Sequence, residues 1–130
     1  MRLPIEEVPH LQKEIMRFGI RYARPVVVAT QMLESMTHAQ VPTRGEVTDV
    51  ANAVLDGASA VMLSGEAAIG DDSVGSVITM DRIVRRAERS FPHAERGPMP
   101  ILAITRSAST ARQLCSSWGA GDLPVLGQRH

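Results

Sequence analysis

Ile5, Val8, Leu11, Ile15, Phe18 and Tyr22 recur at steps of three and four, which predicts a helix with one apolar face. Glu6 and Glu7 fall in its first turn and Arg17 and Arg21 in its last, matching the helix dipole. Pro25 ends it. Val26 to Ala29 follows as a short β-branched run without alternation, the pattern of a strand buried on both faces. Thr43-Arg44-Gly45-Glu46 is a capping box, and Val47, Val50, Ala51, Val54 and Leu55 continue it as an apolar helix face. Gly57 suits the left-handed residue that closes such a helix. Ala58 to Leu63 reads as a second buried strand. Ser73 is placed to cap a third helix, with Val77, Ile78, Val84 and Ala87 inward and Arg82, Arg85, Arg86 and Arg89 forming a solvated face.

A Pro- and Gly-bearing stretch, 93–100, reads as a linker. Beyond it Ile101 to Thr105 is a third strand, Ser107 to Trp118 a helix, and Leu123 to Leu126 a short last strand. Alternating helices and all-apolar strands predict parallel pairing with right-handed crossovers. Ligands of such sheets sit beyond the carboxyl ends of the strands. Both early strands stop there on a hydroxyl with an acid close behind: Thr30 before Glu34, and Ser64 before Glu66. A strand-end hydroxyl bonded to its own backbone is the alternative for each. Ser107, Ser109 and Thr110 open a helix, where hydroxyls and free amides suit an anion or simply cap the end.

Composition narrows the function classes. The chain has 130 residues, with 14 basic and 14 acidic side chains and a formal net charge of zero. A nucleic-acid or anionic-membrane partner usually needs a basic surplus, so neither is expected. A hydrophobic share of 44% is ordinary for a globular domain. One cysteine, Cys115, cannot form an internal disulfide and stands among apolar helix positions as a structural thiol, which fits a reducing compartment. The start, MRLPIEEVPH, lacks the apolar core of a secretory signal, and no run approaches the ~20 apolar residues of a membrane span. A cytoplasmic protein is expected. His38 and His93 lie in polar loops and are expected to be exposed.

RPVVVATQMLESM, then VPTRGEVTDVANAVLDGASAVMLSGEAAIG, preceded by LPIEEVPHLQKEI, resemble the pyruvate kinase family late in its (β/α)8 barrel. PILAIT, TARQL, a Trp-Gly pair and PVL resemble a later stretch of that family's carboxyl-terminal α/β domain. The resemblance implies an α/β fold: a partial TIM barrel of two parallel strands with flanking helices over 1–92, the linker 93–100, and a remnant of a second α/β domain over 101–130. It implies transfer of a phosphoryl group from phosphoenolpyruvate to ADP, giving pyruvate and ATP, with magnesium and potassium as cofactors. Thr30 matches the family's substrate-side threonine and Ser64 a serine near the proton route to the enolate. Glu66 is implied to orient the site, and Arg44 and Glu46 to lie at a subunit contact.

The resemblance also implies what this stretch does not carry. The family's active-site lysine, strand arginine and metal-holding carboxylates precede the matched segment, so no metal ligand is expected in this chain. The single lysine, Lys13, matches a non-catalytic position in the first helix. A complete barrel takes ~250 residues. The apolar faces of the first three helices are therefore expected to lack most of their partners. The sequence further departs from the family pattern at Ala67, Gly45, Asp72 to Gly75 and Ala23, the last standing where glycine usually turns the chain into the strand. The resemblance jumps after Phe91, which implies either an internal deletion between Glu95 and Pro98 or a degraded or misassembled gene product. These points favour a chain inactive alone; the alternatives are a non-catalytic interaction module pairing with intact subunits or with its own kind, and an active enzyme whose missing parts come from another chain.

Overall fold

The computed structural model describes residues 4–29, 31–90, 101–105 and 125–127. Four short strands form one parallel sheet in chain order: β1 (Val27–Ala29), β2 (Ala60–Leu63), β3 (Ile101–Thr105) and β4 (Val125–Gly127). Val27 pairs with Ala60 and Ala29 with Met62, and β2 continues the register into β3 through Val61 with Ile101. The parallel pairing expected from the unbroken apolar runs is what forms; β2 is largely buried, as expected of a strand covered on both faces, whereas β1, the edge strand, is not, Val27 being exposed and Val28 and Ala29 half-buried. The sheet runs on across the expected linker, which itself lies outside the described residues.

Among the described residues four helices flank it: α1 (Val8–Arg21), α2 (Arg44–Leu55), the one-turn α3 (Gly65–Ala68) and α4 (Ser73–Ser90). α2 buries Val50, Ala53 and Val54, and α4 buries Val77, Met80, Val84 and Ala87. These residues share one core with Leu63 and Val61 of β2 and Ile101 of β3. The apolar faces of α2 and α4 therefore do find partners, Leu55 apart, because the two helices lie against each other and share one core with this sheet. The expectation of missing partners holds for α1, whose stripe of Ile5, Val8, Leu11, Ile15, Phe18 and Tyr22 is exposed, Phe18 at 58% and Tyr22 at 62%. Only Met16 and Gly19 of α1 are buried. A Cβ on Gly19 would collide with Val26 Cγ2, so the missing side chain is what lets the helix approach β1.

Local signals hold at the helix ends with one change. Thr43 Oγ1 accepts from the Glu46 N–H while the Glu46 carboxylate accepts from the Thr43 N–H, closing the predicted capping box. Gly57, with φ of 89°, takes the left-handed position after α2. The cap of α4 is Asp72 rather than Ser73, since Asp72 Oδ1 accepts from Gly75 N at 2.8 Å and a carboxylate is the stronger acceptor there. Ile78, expected inward, is exposed, and Met80 takes the core position. The arginines of α4 are exposed as expected, Arg85 pairing with Asp81 one turn earlier. No described helix is long and apolar enough to cross a membrane.

Ala23 has φ of 49° in the turn before β1. A Cβ in the left-handed region costs about 1–2 kcal/mol. Ala23→Gly is accordingly expected to raise the unfolding free energy by about 1 kcal/mol in urea titration, the entropy of the added glycine offsetting part of the relieved strain.

Candidate functional site at the carboxyl ends of β1 and β2

Parallel pairing of Ala29 with Met62 brings the chain leaving β1 and the chain leaving β2 to the same end of the sheet. Thr30, the expected substrate-side residue, lies outside the described residues, and its flanks Ala29 and Gln31 are described. Gln31 has φ of 53°, a left-handed conformation that a non-glycine residue holds at a cost of about 1–2 kcal/mol. The chain then passes through Met32 and Leu33, both buried, into a 3₁₀ turn over Glu34–Thr37 whose Met36 also enters the core.

Two carboxylates hold these strand ends. Glu66, in α3, is fully buried: its Oε1 accepts from Leu33 N and its Oε2 from Ser64 N, each at 3.0 Å. One side chain thus joins the segment after β1 to the segment after β2. Burial of an acid so far from water is tolerated only with such donors supplied. Ser64 is half-buried and makes no side-chain cap to α3, which leaves its hydroxyl uncommitted to that helix.

Glu46 is the second. Its Oε1 accepts from Ser35 N at 2.7 Å, and its Oε2 accepts from Ser35 Oγ at 2.6 Å, Thr43 N at 2.7 Å and Thr43 Oγ1 at 2.9 Å. Burial alone would raise its pKa, but the donors from Ser35 and Thr43 together outweigh that and lower it below its ordinary 4.5. A carboxyl depressed in the folded state stabilises the fold above its unfolded pKa, and that contribution drains away as pH falls through the lower folded value. Unfolding free energies measured from about pH 6 down to about pH 3 are expected to fall more steeply in the wild type than in Glu46→Gln. Parallel curves would contradict the bond set.

The other expected residues fall elsewhere. Arg44 is exposed at the start of α2, and Glu34 is exposed on its turn. His38 is exposed as expected and meets Asp71 at 3.3 Å on the surface. Lys13 Nζ is bound to Asp56 Oδ1 at 2.6 Å, tying α1 to the end of α2. His93, Cys115, and the Ser107 to Thr110 helix start lie outside the described residues. Among the described residues no group of three His, Cys, Asp or Glu side chains could hold a metal ion. Both oxygens of Glu66 are already taken by backbone amides. The described residues thus do not supply the converging carboxylates that a magnesium ion takes.

The reach of Glu46 to Ser35 and the strain at Gln31 had no signal in the sequence beyond the capping box. Glu66 was marked by its place after a strand-end serine, but its burial was not.

A parallel α/β sheet whose strands β1 and β2 lead into segments at one end belongs to the class of folds that keep their chemistry at that end. Residues 1–77 match the family model described as pyruvate kinase, barrel domain, and the chain belongs to the pyruvate kinase family. It is 57% identical to the pyruvate kinase of Corynebacterium glutamicum over 136 aligned positions, covering 88% of this chain and 29% of that protein. It is 56% identical to the pyruvate kinase of Methylorubrum extorquens over 119 positions, covering 88% of this chain and 25% of that protein. A match to the pyruvate kinase of Agrobacterium vitis, 37% identical, runs over 172 positions while taking in 95% of this chain and 36% of that protein. The chain spans about a quarter to a third of the length of these relatives.

Proposed function

We propose that this chain is one corner of a phosphoryl-transfer pocket acting on phosphoenolpyruvate and ADP, the rest of which is built by other residues. The observation that carries the reading is the Glu66 carboxylate, which bonds Leu33 N and Ser64 N and so ties the two hydroxyl-bearing strand ends together. In this reading Thr30 lies against the substrate. Ser64 stands on the proton route to the enolate left when the phosphoryl group departs, its hydroxyl able both to donate and to accept. Glu66 orients both strand ends. Arg44 and Glu46, at the start of α2, mark the subunit contact.

Transfer of a phosphoryl group needs positive charge where negative charge develops. The one lysine of the chain is engaged with Asp56. Magnesium and potassium, which the family uses, would supply that charge when held by residues outside this stretch. The chain alone is therefore proposed to be inactive, cytoplasmic, and dependent on a further portion of barrel, from its own kind or from an intact subunit. Division into a barrel part over 1–92 and a second α/β part over 101–130 belongs to the same proposal, as does an internal deletion near Glu95 to Pro98. The Agrobacterium vitis alignment spends 172 positions on 95% of this 130-residue chain, which is in keeping with residues missing somewhere along it.

The test is a coupled assay with phosphoenolpyruvate, ADP, magnesium and potassium, in which the purified chain is supplemented with the preceding barrel portion of a relative. Thr30→Val and Ser64→Ala are each expected to lower the reconstituted kcat by roughly tenfold or more. A reconstituted rate indifferent to both substitutions would remove these residues from the reaction.

A further inference from the structure

We propose that Glu46 is a positioning residue for the tip of β1: acting through Ser35, and together with Glu66, it fixes the backbone that follows Thr30. The inference rests on the functional reading above and extends it to a residue that reading leaves at a subunit contact. A capping box requires only that the Glu46 carboxylate accept from the Thr43 N–H. Here the same carboxylate reaches back 11 residues to take both the N–H and the hydroxyl of Ser35, at 2.7 and 2.6 Å. That second pair of bonds does nothing for the end of α2. It secures the 3₁₀ turn after β1.

Two residues earlier, Leu33 N is held by Glu66 at 3.0 Å. Positions 33 and 35 are thus each pinned by a carboxylate, one from α3 and one from α2, while Leu33 and Met36 anchor the same stretch in the core. Immediately upstream Gln31 is kept at φ of 53°. A non-glycine residue stays in that region only where its surroundings over-determine it, and the two carboxylates are the surroundings that do so. Charge-assisted bonds are the stronger kind, so exchanging either acid for its amide weakens the grip without changing side-chain size.

The experiment follows amide hydrogen exchange and chemical shifts of the full chain for Glu46→Gln, Ser35→Ala and Thr43→Ala. Thr43→Ala disturbs the cap of α2 but leaves the Ser35 bonds to Glu46, so it separates capping from positioning. Glu46→Gln is expected to speed exchange at Leu33 and Ser35 roughly tenfold and to shift the amides of Thr30 and Gln31. Ser35→Ala is expected to act in the same direction to a smaller extent, which keeps the test usable should Glu46→Gln fold poorly. Thr43→Ala is expected to leave Gln31 and Leu33 within about twofold of wild type. Unchanged exchange and shifts in both Glu46→Gln and Ser35→Ala would overturn the proposal, as would equal effects from Thr43→Ala. In the reconstituted assay, Glu46→Gln is expected to lower kcat roughly tenfold with a smaller change in KM, and an unchanged kcat would also overturn it. Failure of any reconstituted turnover would fall on the functional reading, while the exchange data still decide what Glu46 holds.

Discussion

Glu66→Ala is expected to lower the unfolding free energy by about 3–5 kcal/mol, because the buried amide of Leu33 and the half-buried amide of Ser64 lose their acceptor at once. Leu33 N and Ser64 N each bond a separate oxygen of that carboxylate, and the side chain is fully buried, so water does not replace it without opening the core. An unsatisfied buried donor costs about 1–3 kcal/mol, and the cavity left by the side chain adds to the sum. Glu66→Gln is the informative companion. Its amide keeps one acceptor and turns an N–H₂ toward the other donor, so its loss should be large but smaller than that of alanine. Against a usual total of about 5–15 kcal/mol, the alanine variant would sit near the edge of folding. Urea titration measures both. A loss below about 1 kcal/mol for Glu66→Ala would mean that the two amides find other partners.

The second large effect is a contrast between two apolar truncations. Leu63→Ala, at the fully buried end of β2, is expected to cost about 2–5 kcal/mol, the usual range for emptying a packed core position. Phe18→Ala removes a larger side chain and is expected to change stability by no more than about 0.5 kcal/mol. Phe18 is exposed and its described ring contact is a stack on Tyr22, centroids 6.2 Å apart. Side-chain size alone predicts the opposite order. The inversion would show that the apolar stripe of α1 is uncovered in the isolated chain. Equal costs would show instead that something buries Phe18, self-association through that stripe being testable by repeating the titration at several protein concentrations.

Much of this fold was legible residue by residue. The unbroken runs at Val26 and Ala58 signalled parallel strands, and Thr43 with Glu46 signalled the start of α2, because both patterns report local chemistry; burial on both faces holds for β2 and not for β1, the edge strand, where Val27 is exposed. The capping residue of α4 was misassigned by one position, since Ser73 and Asp72 are both good caps and only geometry separates them. Periodicity marked the apolar stripe of α1 correctly but says nothing about what covers it. The one-turn helix α3 and the 3₁₀ turn over Glu34–Thr37 were missed for a physical reason. Neither is long enough to show a period; the 3₁₀ turn is held by the carboxylates of Glu46 and Glu66 from later in the chain, and α3 carries one of those two acids. At the site, the motifs drew attention to Ser64 and Glu66. The engagement of Glu46 with Ser35 and the left-handed Gln31 are tertiary facts that the residues do not announce.

Under the proposal above, this chain forms one corner of a phosphoryl-transfer pocket whose positive charge comes from residues outside it. The measurement that tests it most directly is pyruvate formation by the purified wild-type chain from phosphoenolpyruvate and ADP, with magnesium and potassium, alone and then with the preceding barrel portion of a relative. The account predicts no rate above background for the chain alone and a clear rate once the portion is added. Sustained turnover by the chain alone would contradict it.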